Sequence, residues 1–203
     1  MNLQDFYNDK NISRQVKREL ITENIFAKLG INLAQKATSM IKKYSPEKLQ
    51  SYFNKWVDSQ NQEGTGWTQK IPDCPCQLKV ADDKAENPNP KDFEGPDPIQ
   101  DQSLHPGAKW ELRGKNGDGQ GQQCCYDATG KLMTHGFGAG TADKVSPAKS
   151  VKGHFQADVL PFFIAYALDG NKHGRNVAKY ISVRPPNTGE NCPPNKGAKK
   201  AAE

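Results

Sequence analysis

His154 and Asp158 stand four residues apart in His154-Phe155-Gln156-Ala157-Asp158. On a helix that spacing puts two side chains on one face, where a carboxylate can orient an imidazole as a general base. Cys124 or Cys125 supplies a nucleophile, so the chain holds the parts of a Cys-His-Asp site for acyl transfer. Such a site needs one reduced thiol of lowered pKa and a pair of backbone donors for an oxyanion. His135 and the run Gly136-Phe137-Gly138-Ala139-Gly140-Thr141 are placed to give those donors, although the same glycines suit a tight turn. The structural alternative is plainer. Asp158 caps a helix beginning at Val159, His154 hydrogen-bonds a nearby loop, and Thr141-Ala142-Asp143 reads as a cap as well.

The cysteines offer a second chemistry. There are five, at 74, 76, 124, 125 and 192, and an odd number allows two bridges with a free thiol, an intermolecular bond, or no bridge at all. Adjacent Cys124 and Cys125 do not bond each other; in a strand they point to opposite faces and reach different partners. Cys74-Pro75-Cys76 likewise presents two sulfurs, so Cys74, Cys76, Cys124, Cys125 and Cys192 are all disulfide candidates. The rival is zinc on Cys74, Cys76, one of Cys124/Cys125 and His105. Paired cysteines at zinc sites are roughly two to four residues apart, a spacing these lack, so no metal is expected. No cofactor is expected either: Gly114–Gly121 carries glycines without the spacing of a phosphate loop. Nothing fixes the separation of the carboxylates between 82 and 101 for glycosidase work, and His173 reads as an exposed loop residue.

The elements that must position these residues fall into two parts. From Ile12 to Tyr44 apolar residues recur at helical spacing, among them Val16, Leu20, Ile25, Leu29, Leu33, Ala37 and Ile41, with Gly30 as a break. Ser45-Pro46-Glu47 then starts a second helix with cap, proline and acid in order. Leu49, Tyr52, Phe53, Trp56 and Val57 form its buried stripe, and Gly64-Thr65-Gly66 ends it. After Gly66 the chain becomes loop-rich. Cys124–Asp127, Ala128-Thr129-Gly130 and Lys131–Thr134 read as strand, turn and strand. Residues 157–169 read as a short buried helix, and Tyr180–Val183 as a final strand stopped by Pro185-Pro186. The expected organisation is α+β: a helical arm over 1–62, a disulfide-linked β-containing module with one or two short helices over 67–192, and a frayed tail over 193–203.

Composition narrows the function. Net charge is +5 on 203 residues, too mild to require an anionic partner. Its sign changes along the chain: ten basic and six acidic residues over 1–62, three and eight over 73–101, ten and four over 144–203. A nucleic-acid binder keeps one basic face, so nucleic acid is not an expected partner. The longest apolar stretch, Val159–Leu168, is half the ~20 residues a membrane span needs. Met1–Tyr7 has neither the basic nor the apolar region of a secretory leader.

Several blocks together resemble a known family. Trp67, Cys74-Pro75-Cys76, His105-Pro106-Gly107-Ala108 and Gln122-Gln123-Cys124-Cys125-Tyr126-Asp127 are similar, in this order, to the AMOP domain, the adhesion-associated module of membrane mucins and isthmin-type secreted proteins. Gly138–Thr141, His154, Asp158–Phe162, Arg184-Pro185-Pro186-Asn187 and Cys192 continue the resemblance, which covers about residues 67–192. Family members carry cysteines flanking the His-Pro-Gly-Ala block where this chain has Ser103 and Trp110 or Glu111. The resemblance implies an extracellular adhesion or protein-interaction module, non-catalytic and knitted by disulfides, with a protein or cell-surface partner. The arm over 1–62 lies outside the family pattern and reads as a helical hairpin packed on the rest of the chain or docked on a partner or parent protein. An extracellular or secreted destination follows, for a piece of a larger protein or a chain exported without a leader. The alternative is a secreted bacterial effector with hydrolase activity on Cys124 or Cys125, His154 and Asp158.

Overall fold

The computed structural model describes residues 33–99, 104–114, 119–147 and 149–193. The expected helix between 12 and 32 and the tail from 194 onward lie outside the described residues.

Helix α1 spans Leu33–Ile41 and α2 spans Pro46–Glu63. The start of α2 follows from its sequence. Ser45 is extended, its hydroxyl accepts from the Lys48 N–H, and Pro46 occupies a position where no N–H is needed. Gly64 closes the helix at φ 73°, a left-handed conformation that only glycine adopts without strain. Leu49, Tyr52, Phe53, Trp56 and Val57 are all buried on one stripe. Each contributes ~1.5–3 kcal/mol if its burial is complete.

A 3-10 turn over Gly66–Lys70 leads into the β region. Strands β1 (Lys79–Ala81) and β2 (Lys84–Glu86) form a hairpin. Its two turn residues, Asp82 and Asp83, both have positive φ, as the tightest hairpin turns require. A separate antiparallel sheet runs β3 (Phe93–Pro98), β4 (Trp110–Gly114), β5 (Gly121–Tyr126) and β6 (Ala142–Asp143) in chain order. The prolines of β3 lie at the sheet edge, where a missing N–H is tolerated.

The last third is helical. Helix α3 (Val151–His154), a π-helical turn (Phe155–Val159) and α4 (Leu160–Leu168) follow one another without a break, and α5 spans Arg175–Val183. Two expectations are corrected here. Tyr180–Val183 is the end of α5 rather than a strand. Val177, Tyr180 and Val183 sit three apart and are buried together, and the Asp169 carboxylate accepts from the N–H groups of Asn176 and Val177 at 3.1 and 2.9 Å, starting the helix. Nor does Asp158 cap a helix at Val159. It lies inside a helical stretch that begins at Val151, capped by the Ser150 hydroxyl on the Gly153 N–H.

Two apolar cores result. One packs α1 and α2 against α4 and α5, with Trp56 stacked on Tyr180 at 5.6 Å between ring centres. The other lies on one face of the sheet and holds Leu78, Phe93, Trp110, Leu112, Tyr126 and Leu132 around Cys74 and Cys124. Cys74 is bonded to Cys124 and Cys76 to Cys192, so the zinc set of Cys74, Cys76 and His105 is not assembled. Cys125 carries a free, buried thiol and forms no bridge. Its neighbour Cys124 faces the sheet core while Cys125 faces the other side, as strand alternation requires.

The Cys74–Cys124 bridge closes a separation of 50 residues. Loop-closure entropy predicts that Cys74→Ser with Cys124→Ser costs about 4 kcal/mol in urea unfolding. Alkylation without reductant should modify Cys125 in the unfolded protein and leave the native thiol untouched; two or more reactive thiols in the unfolded chain would contradict the pairing.

Candidate functional site

Strands β4 and β5 pair Trp110 with Tyr126, Glu111 with Cys125, Leu112 with Cys124 and Arg113 with Gln123. Alternation therefore sorts them by face. Trp110, Leu112, Cys124 and Tyr126 enter the apolar core, while Glu111, Arg113, Gln123 and Cys125 turn the other way. On the polar face the β5 residues are buried and Glu111 and Arg113 of β4 are half-buried. Arg113 Nη2 lies 3.1 Å from Glu111 Oε2, and Gln123 donates to the same oxygen at 2.6 Å. His105 sits beside them, with Nδ1 3.8 Å from Cys125 Sγ and Nε2 3.2 Å from the Gln123 amide nitrogen.

The helical side meets this face with His154, Asp158 and Arg184. Asp158 stands in the π turn, where Leu160 N–H reaches back five residues to Phe155. Such widened turns aim side chains that a regular helix would place elsewhere. Three hydrogen-bond donors hold its carboxylate, with the His154 ring beside them. Oδ1 accepts from Arg184 Nε at 2.7 Å and Lys144 N–H at 3.0 Å. Oδ2 accepts from Val145 N–H at 3.1 Å and lies 3.4 Å from His154 Nδ1. Pro161 has no N–H for the carbonyl four residues back, which belongs to Ala157; Arg184 Nη2 donates to that carbonyl at 3.3 Å. The Arg184 guanidinium lies between two indoles, 5.1 Å from Trp56 and 5.5 Å from Trp67.

Asp143 at the end of β6 completes the cluster. Its Oδ2 lies 3.3 Å from Arg113 Nη1, and its Oδ1 lies 3.8 Å from His154 Nδ1. Burial disfavours the charge of His154, but the Asp143 carboxylate and the contact to Asp158 outweigh it and raise the imidazole above its ordinary value. Burial raises Asp143 against the pull of His154 and Arg113. For Asp158 burial also opposes ionisation, yet the contacts to His154 and Arg184 win and its pKa is lowered. The thiol of Cys125 is pushed far above the ordinary range by burial and by the Glu111 carboxylate, against the pull of Arg113.

Asp143, His154 and Asp158 bring ligand-type atoms within 4.8 Å of one another, so a cation deserves a test. The fit fails. Guanidinium groups already face both carboxylates, and His154 Nδ1 lies 3.1 Å from the Val145 carbonyl, which requires a proton on that nitrogen where a metal needs a lone pair.

A cavity of about 220 Å³ opens above the cluster. Asp143, His154 and Arg113 reach it from below, and Phe137, Phe162 and Phe163 wall it. The glycine run 136–141 serves packing here. A side chain at Gly138 or Gly140 would collide with the Pro106 or Gln123 carbonyl, at 2.3 and 2.1 Å.

The structure thus brings His154 and Asp158 together, as their spacing suggests, but joins neither to a cysteine among the described residues. His105 is the imidazole beside Cys125, and Cys124 is consumed in a disulfide. His173 does not extend into solvent; its ring stacks on Phe137 at 4.2 Å. Sequence reasoning missed Glu111, Arg113 and Asp143. The alternation in Trp110-Glu111-Leu112-Arg113 is the available signal for the first two, while Asp143, expected with Thr141-Ala142 as a cap, instead ends β6 and faces Arg113 and His154.

These features define a disulfide-linked α+β module whose sheet and helices meet across a buried ion cluster. The AMOP domain family matches residues 49–193, and the chain belongs to that family. The match begins inside α2, in the stripe that packs on α4 and α5. No solved structure matches the chain. AMOP membership makes this an adhesion-type module of extracellular kind, and two disulfides fit an oxidising environment. No helix among the described residues is long and apolar enough to cross a membrane.

Arg184→Ala leaves Asp158 buried without its main cation, and a loss of about 3–5 kcal/mol in urea unfolding is expected. The pH dependence has a definite sign. A raised His154 pKa gives stability that is complete below its unfolded value near ~6.5 and is lost as pH rises through the folded value. The lowered Asp158 pKa gives stability present above ~4 and lost as pH falls further. The thermal midpoint should therefore fall as pH rises from about 6.5 through the folded His154 value, and His154→Gln should flatten that fall.

Proposed function

We propose that this chain is a non-catalytic interaction module acting outside the cell through a protein or cell-surface partner. One observation carries the reading: each group of the Cys-His-Asp set is spent on structure. Cys124 is oxidised to Cys74, and Asp158 is held by Arg184 and two backbone N–H groups. The Cys125 thiol is 0% exposed and strongly disfavoured as a thiolate. A thiolate nucleophile needs the opposite surroundings, electropositive and partly exposed. The hydrolase reading would require Cys125 to ionise and to contact a catalytic base and substrate together.

The family and the disulfides support a secreted destination, and residues 1–62 supply a further docking element. The described part of that arm is already engaged, since α1 and α2 bury their apolar faces on α4 and α5. A partner that docks on this arm therefore meets the outer faces of α1 and α2.

The test compares wild type with Cys125→Ala and His154→Gln. Surfaces coated with each folded protein should retain cells equally well, and none should hydrolyse ester or amide substrates. Turnover that disappears in folded Cys125→Ala would overturn the reading in favour of a hydrolase. Failure of the coated wild-type surface to retain any cell type would remove the adhesive function.

A further inference from the structure

Among the buried acids, Asp143 is the one whose charge is least met. Its Oδ2 has Arg113 Nη1 at 3.3 Å, whereas among the described residues Oδ1 has only His154 Nδ1, at 3.8 Å and beyond hydrogen-bond length. No backbone N–H reaches either oxygen among the described residues. Asp158, 15 residues later in the same cluster, has two backbone donors and Arg184. The Asp143 side chain is 4% exposed, yet it lines the cavity. Glu111, Asp143 and Asp158 face Arg113 and Arg184, and a protonated His154 balances the count, but from 3.8 Å it does not hydrogen-bond Asp143 Oδ1.

The wall supplies a second acceptor of specificity. His173, on the rim with Phe137, has a buried Nε2 without a hydrogen-bond partner. Phe137, Phe162 and Phe163 add aromatic surface around the opening. Aromatic faces attract a cation and also bury an apolar stem.

We propose that this cavity is a binding site for a small organic ammonium, with its charged head on Asp143 and its apolar stem between Phe137, Phe162 and Phe163. An anion would meet the Asp143 carboxylate and find both guanidinium groups already committed. A neutral apolar guest would leave Oδ1 without a donor, at the cost of an unmet buried charge. An inorganic cation would exchange its hydration oxygens for phenyl rings and gain too few ligands. The cavity volume of about 220 Å³ is below that of drug-sized sites, roughly 300–1,000 Å³, so the guest is small. A free amine and the side chain of an exposed lysine on a partner share this chemistry. The site goes beyond the interaction reading, because the module can hold a protein partner with the cavity filled or empty.

The experiment titrates the full chain with 2-phenylethylamine, its anionic isostere 3-phenylpropionate, neutral 3-phenylpropanol, and Nα-acetyl-lysine amide, followed by calorimetry and NMR shifts. Saturable binding of an amine is expected, at least about tenfold tighter than either isostere, as loss of one charge-assisted contact implies. Asp143→Asn should weaken amine binding by about the same factor. Phe137 is 39% exposed, so Phe137→Ala folds and should weaken binding severalfold even where Asp143→Asn does not fold. Tighter binding of the lysine amide identifies a partner's side chain as the source, and tighter binding of phenylethylamine identifies a free amine. Equal binding of the carboxylate or alcohol, no effect of folded variants, or no saturation by either amine would overturn the site while leaving cell retention on coated surfaces unaffected.

Discussion

The pairing of Arg184 with Asp158 is the contact on which the rest of the architecture leans. Both side chains are about 99% and 98% removed from solvent, and placing two charges there costs several kcal/mol per ion unless every donor and acceptor is met. The fold meets most of them. Arg184 spends its donors on Asp158, the Val183 carbonyl and the Ala157 carbonyl, and its faces rest near Trp56 and Trp67. One residue thereby fixes the end of α5, the π turn, α2 and the 3-10 turn relative to one another. Lysine in its place would keep the charge and lose the planar fork and the stacking.

A helix containing Pro161 needs this partner for its own reason. Proline removes the N–H that the Ala157 carbonyl would receive and crowds the preceding turn. The widened π turn relieves the crowding, and a guanidinium from 27 residues away satisfies the carbonyl. The same widening presents Asp158 to the interior. Its ion pair and the local helix defect are thus one solution to two problems, and the pair also orders the loop at Lys144 and Val145 that carries Asp143 to the end of β6.

What the sequence made legible was the part governed by neighbours along the chain. Ser45-Pro46-Glu47 and the stripe from Leu49 to Val57 describe α2 because capping and helical spacing are local rules. Strand alternation put Cys124 and Cys125 on opposite faces for the same reason. The end of α5 escaped because Tyr180-Ile181-Ser182-Val183 has strand-like residue types; its helix is decided by Asp169 and by the α2 surface that receives Tyr180. Asp158 has the sequence pattern of a cap because short polar residues before an apolar run usually are caps. Its partner Arg184 lies 26 residues on, and no periodicity connects them. Asp143 was hidden more thoroughly, since its neighbours come from β4 and α3.

The sheet and the helices therefore do not share one apolar core. Each has its own, and the seam between them is polar: Glu111, Arg113 and Gln123 from the strands against His154, Asp158 and Arg184 from the helices. Apolar layers tolerate sliding by a side chain's width, whereas a seam of charge pairs fits in one register. The disulfides close the far side of the sheet and leave this seam untouched. Within it, the two aspartates differ because only Asp158 faces backbone donors. Asp143, served by a single guanidinium, lies where the seam opens into the cavity. A free thiol survives beside that opening because the same burial that isolates Cys125 from oxidants also keeps it protonated. The residue types of a hydrolase are present, and all four of them are buried, Cys125, His154 and Asp158 where the two layers meet and Cys124 in the sheet core.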